Sequence, residues 1–156
     1  MHVIAGKAVA FGEAMTPEFK QYATTVVANS AKLGEGLVEG GLRLVSGGTD
    51  NHLCLVDLTA TDLSGKEAEC LLETVGMTVN KNTIPREKRS PFVTSGIRVG
   101  SAAATTRGFG EDDFFAIGNA IAKTLFNPTD DVVLSEVREL TSDLLSEHPL
   151  YSGLCY

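Results

Sequence analysis

Three observations predict an α+β fold, a small antiparallel sheet covered by helices. Helical and strand patterns follow one another as helix, strands, helix, strands, helices; each strand pair is joined by a link rich in Gly, Asn, Asp or Pro; and no internal repeat interrupts the order. A chain of 156 residues, 43% of them apolar, buries roughly two thirds of its unfolded surface. That is core enough for one domain without disulfides or a structural metal.

The first residues, Met1 to Phe11, mix Ala with branched apolar side chains and have no capping residue ahead of them. An uncapped apolar helix predicts packing against sequence outside this chain. Thr16-Pro17-Glu18 starts a second helix, with a side-chain acceptor at the cap, Pro where no N–H is needed and an acid at the positive dipole end. Phe19, Tyr22, Ala23, Val26, Val27, Leu33 and Leu37 give it one apolar stripe, and Gly40-Gly41 ends it. Gly34 and Gly36 each cost that helix about 1 kcal/mol, so packing must hold its last turns.

Leu42 to Ser46 and His52 to Leu58 read as strands joined by a Gly-Gly-Thr-Asp-Asn turn. Ser64 and Glu67 form a capping box for a helix ending before Gly76. Thr78 to Ile84 and Val93 to Val99 read as two further strands around a loop bracketed by Pro85 and Pro91. Helices from about Glu111 to Phe126 and from Thr129 to about Glu147 complete the chain, the last with Val133, Val137, Leu140 and Leu144 as its stripe.

A net charge of −7 argues against nucleic acid or an anionic membrane as partner, since both would be repelled. Cys54, Cys70 and Cys155 are far apart and form no CxxC or Cys/His cluster, so the expectation is a reduced, cytoplasmic chain whose cysteines pack as small apolar groups. No apolar stretch reaches the roughly 20 residues needed to span a bilayer.

Few side chains suggest chemistry. Arg98 lies between Ile97 and Val99, with Gly96 and Gly100 outside them, so its guanidinium points away from the apolar face. On a rigid strand it can clamp a carboxylate through two parallel hydrogen bonds; a solvated surface arginine is the alternative. Asn80-Lys81-Asn82 spends strand propensity on polar side chains, as a ligand-facing or a merely solvated edge would. The Pro85 to Phe92 loop carries three cations, which suit either an anionic ligand tail or plain solvation. Lys81 has polar neighbours that do not favour a neutral amine nucleophile, and His52 has no partners spaced for a metal site or a triad.

Three segments in order, Ser46-Gly47-Gly48-Thr49-Asp50-Asn51-His52, Thr78-Val79-Asn80-Lys81-Asn82-Thr83-Ile84-Pro85 and Ser90-Pro91-Phe92-Val93-Thr94-Ser95-Gly96-Ile97-Arg98-Val99-Gly100, resemble serine hydroxymethyltransferase. The likeness runs from Met1 through Thr106-Arg107-Gly108-Phe109 and more loosely beyond. It is to the C-terminal portion of the family's longer chain, and it implies the C-terminal domain fold of fold-type I pyridoxal-phosphate enzymes. Residues 1–15 would be the helix leaving a large domain and residues 16–156 the small domain.

The resemblance further implies serine and glycine as substrates, pyridoxal 5'-phosphate as cofactor and tetrahydrofolate as one-carbon carrier. Arg98 matches the arginine that binds the substrate α-carboxylate, and Asn82, Ser90, Pro91 and Phe92 match folate contacts. No lysine here matches the family's Schiff-base motif, so the chain alone is expected to be inactive unless a second polypeptide supplies the large domain; the expected partners are such a large-domain polypeptide or a homo-oligomer. A stand-alone folate-binding or interaction module partnering a full-length relative is the alternative. The sequence departs from the family at Ser101-Ala102-Ala103, usually Thr-Pro-Ala, which implies a looser hold on Arg98, and in the tail Ser152 to Tyr156.

Overall fold

Thr16 accepts a hydrogen bond from the Phe19 N–H at 3.3 Å, and Pro17 opens the long helix of the domain, as the cap residues predict. A computed structural model describes residues 1–150 of the chain; the tail segment singled out above, with Cys155, lies outside them. In chain order the elements are α1 (His2–Ala14), α2 (Pro17–Glu39), β1 (Arg43–Leu44), β2 (Leu53–Asp57), α3 (Gly65–Thr74), β3 (Asn80–Asn82), β4 (Gly96–Gly100), α4 (Ala102–Thr106), α5 (Glu111–Phe126) and α6 (Asp131–Glu147). The strands form one antiparallel sheet in the order β1-β2-β4-β3. The predicted α+β class is the observed one.

Alternation along the central strands gives the sheet two faces. Leu44, Cys54, Val56, Ile97 and Val99 point to one and are buried. Helices α2 and α3 cover that face, α5 packs on α2 and α3, and α6 packs on α5. The core fills with Leu33 and Leu37 from α2, Leu72 from α3, and Phe114, Ile121 and Leu125 from α5. Each such side chain contributes about 1.5–3 kcal/mol by leaving water. The α2–α5 contact runs through glycine: a Cβ on Gly36 would overlap the Phe115 carbonyl oxygen, and one on Gly118 would overlap the Leu33 carbonyl. The propensity cost of Gly36 is therefore the condition for bringing two helix backbones together.

Several boundaries differ from those expected. The hairpin strands β3 and β4 are shorter, because Val93 and Thr94 turn back on the Ser90 carbonyl and give their own carbonyls to the N–H groups of Lys66 and Gly65 at the start of α3. The sequence around Ser101 forms the short helix α4, which the pattern did not predict. On α2 the buried set is Val26, Asn29, Ser30, Leu33, Gly34, Gly36 and Leu37, while Phe19 and Val27 are exposed. On α6, Leu134 and Thr141 join Val137 and Leu144 at the centre of the buried stripe, with Val133 and Leu140 at its margin. Cys54 packs in the core as expected, but Cys70 lies on the exposed side of α3.

Helix α1 stands apart. It has no side-chain cap and no buried residue, and Val3, Ile4, Val9 and Phe11 are 57–68% exposed. No helix among the described residues is long and apolar enough to cross a membrane.

Candidate functional site

The uncovered face of the sheet carries Arg98. Its neighbours Ile97 and Val99 are buried in the core, so β-strand alternation turns the guanidinium outward. Register places Leu55 of β2 and Asn80 of β3 directly beside it. At the far end of the same face lies a second arginine, Arg43, but its Nε donates at 3.0 Å to Oδ2 of Asp57, and a second donation comes from Nη2. Asp57 is buried. Burial opposes its charge, but the Thr59 hydrogen bonds and the Arg43 guanidinium outweigh this and hold its pKa below the usual carboxylate range. The Arg98 side chain, by contrast, makes no hydrogen bond or ion pair among the described residues. Of two arginines on one face, one is neutralised internally and the other keeps its side-chain donors free among the described residues.

The backbone around Arg98 is firmly set. Gly96 sits where a Cβ would run into the Ile84 side chain and the Val56 and Asn82 carbonyls. Beyond the strand, buried Ser101 donates its hydroxyl to the Val26 carbonyl at 2.7 Å, and its N–H donates to the His52 carbonyl at 3.0 Å. Tyr22 adds a hydrogen bond to the Ala102 carbonyl at 3.1 Å. The strand end is thus tied to α2 and to the residue that precedes β2.

Asn82 is opposite Gly96, so it shares Arg98's face two pairs further along the ladder. Its side-chain amide donates to the Thr83 carbonyl at 2.7 Å. The loop of the same hairpin carries the other three predicted contacts. Ser90 closes a turn, its carbonyl accepting from the Val93 and Thr94 N–H groups and its hydroxyl accepting from the Phe92 N–H at 3.3 Å. Pro91 lies in that turn and Phe92 is 81% exposed, an aromatic ring presented to solvent. One hairpin therefore carries all five residues, with Arg98 and Asn82 on its strands and Ser90, Pro91 and Phe92 on its loop.

Other candidates have structural duties. Lys81 points to the helix-covered face, where its Nζ lies 3.2 Å from Glu69. Its partner's carboxyl is held below the usual range by the Lys81 backbone N–H and then by the ammonium. His52 is exposed and contributes its carbonyl to Ser101. No group of three His, Cys, Asp or Glu among the described residues could hold a metal ion.

Sequence reasoning gave no role to Glu87, whose carboxylate gathers the loop's N–H groups. Only a count of donors in three dimensions reveals it. The residues present do not fit pyridoxal phosphate. A Schiff-base lysine needs a dry pocket to lose its proton, whereas Lys32, Lys81 and Lys123 pair with Glu35, Glu69 and Glu136, and Lys7, Lys20, Lys66 and Lys88 are exposed.

Fold and face together define a small α+β domain that presents one unpaired arginine on an open antiparallel sheet. The serine hydroxymethyltransferase family model matches residues 1–121, from α1 into α5, and the chain belongs to that family.

Proposed function

We propose that this chain supplies the amino-acid and folate contacts of a serine hydroxymethyltransferase, an enzyme that interconverts serine and glycine. In this reading residues 16–156 are its small domain, and α1 leads to, or packs on, a large domain that brings pyridoxal phosphate. The observation that carries it is Arg98: firmly held, outward on a sheet face, and unpaired on the same face as an arginine that is paired. Two parallel N–H donations to a carboxylate would fix the orientation of the α carbon, which selects the bond that reacts. Asn82 can donate to and accept from a pterin edge, and Pro91 with Phe92 supplies a stiff apolar wall. The free thiols suit a reducing cytoplasm.

The chain by itself is expected to be inactive, because none of its lysines is placed to hold the cofactor. The test is serine-to-glycine conversion with pyridoxal phosphate and tetrahydrofolate, run with the chain alone and with a separately supplied large domain. The expected result is no turnover alone and measurable turnover on mixing. Arg98→Ala should then raise the serine KM by about 100-fold, the loss of a charged bidentate contact. Turnover by the chain alone, or an unchanged KM in the variant, would overturn the reading.

A further inference from the structure

Glu87 stands at the middle of the hairpin loop, and five donors converge on its carboxylate. The N–H groups of Lys88 and Arg89, both at 2.9 Å, and the Ser95 hydroxyl at 2.7 Å donate to Oε1. The Ser95 N–H at 2.8 Å and the Ile84 N–H at 3.3 Å donate to Oε2. These donors lie at the exit of β3, across the loop, and immediately before β4. One side chain thereby joins the limb that follows Asn82 to the limb that precedes Arg98. The loop needs such a tie: Arg86 and Thr94, with φ of 62° and 60°, are the only non-glycine residues with left-handed backbone among those described, and each such residue costs about 1–2 kcal/mol.

We propose that Glu87 is a positioning residue that holds residues 84–95 in the form presenting Ser90, Pro91 and Phe92, and so sets how well the domain takes a reduced folate. The folate half of this rests on the function proposed above. The tie is made by backbone and hydroxyl dipoles, although Arg86, Lys88 and Arg89 surround it in sequence. The Ser95 hydroxyl foremost, then the N–H groups of Arg89, Ser95 and Ile84, outweigh desolvation and hold the Glu87 carboxyl at about 2. Its folded value lies below the ordinary one, so its contribution is complete above the ordinary carboxylate range and is lost as pH falls towards about 2. Glutamine cannot replace it. Whichever way the amide is turned, its NH2 faces at least two groups that also donate.

The experiment is amide hydrogen exchange of the whole chain, reading the segment 84–96 against α5 as an internal reference. Glu87→Gln should raise exchange of that segment about tenfold with α5 unchanged, and Glu87→Asp, which keeps the charge, should restore part of the protection. Wild-type protection should persist at pH about 4, where an ordinary glutamate is largely protonated. In a second arm, 5-formyltetrahydrofolate is titrated and its protection of the same segment followed; Glu87→Gln should raise the half-protecting concentration about tenfold. Equal exchange in Glu87→Gln and wild type without folate, or an unchanged half-protecting concentration, would overturn the proposal. If folate fails to protect even the wild type, the folate reading falls, while the anchoring role is still decided by the first arm. Should Glu87→Gln unfold α5 as well, Glu87→Asp carries the same comparison.

Discussion

Helices α1 and α2 are joined by two residues and have opposite fates. α1 is the more apolar of the two, yet buries nothing; α2 alternates polar and apolar residues and buries seven side chains or backbone positions. The difference is arrangement. α2 gathers its apolar and small residues on one side and spends the other on Lys20, Gln21, Thr24, Thr25, Lys32 and Glu35, so the sheet and α5 on that one side satisfy it. α1 has apolar side chains all round, and a helix of that kind becomes content only when it is surrounded. Hydrophobicity therefore measures how much covering a helix needs, while patterning says from how many sides the covering must come.

This contrast can be broken from the α2 side with the largest effect. Gly36→Val inserts a branched side chain where the Phe115 carbonyl already lies, and should cost about 3 kcal/mol or more, read as loss of the cooperative urea transition. Thr16→Ala removes the cap between the two helices and should cost about 1 kcal/mol, seen as a lower urea midpoint with unchanged slope. The smallest effect on stability comes from α1: Val9→Ser with Phe11→Ser should shift unfolding by less than about 0.5 kcal/mol, because both side chains are exposed in the folded chain. The same pair should reduce self-association in sedimentation, as expected for an apolar surface in search of cover. A large stability loss in that double variant would mean that α1 packs on this domain after all.

Local chemistry made much of the fold legible. The Thr16 cap, the Ser64–Glu67 box and the glycine stops are signals written within one turn of the backbone, and the structure places them as read. Features that need a distant partner were not legible. The hairpin strands looked longer in sequence because nothing local says that the carbonyls of Val93 and Thr94 will be taken by α3. Gly36 looked like a weak point because its value lies in the backbone of α5. At the site, alternation alone placed Arg98 outward, but its meaning depended on motif resemblance and on seeing that Arg43 is paired whereas Arg98 is not. Glu87 was hidden among cations that suggested a solvated loop.

The sheet closes at either side with very short strands, two residues in β1 and three in β3. Strands so brief offer little template for a neighbouring chain to extend. If the domain precipitates through α1, the deposit should accordingly be amorphous, helical by infrared spectroscopy and blind to thioflavin dyes, and it should redissolve on dilution with intact molecules inside it.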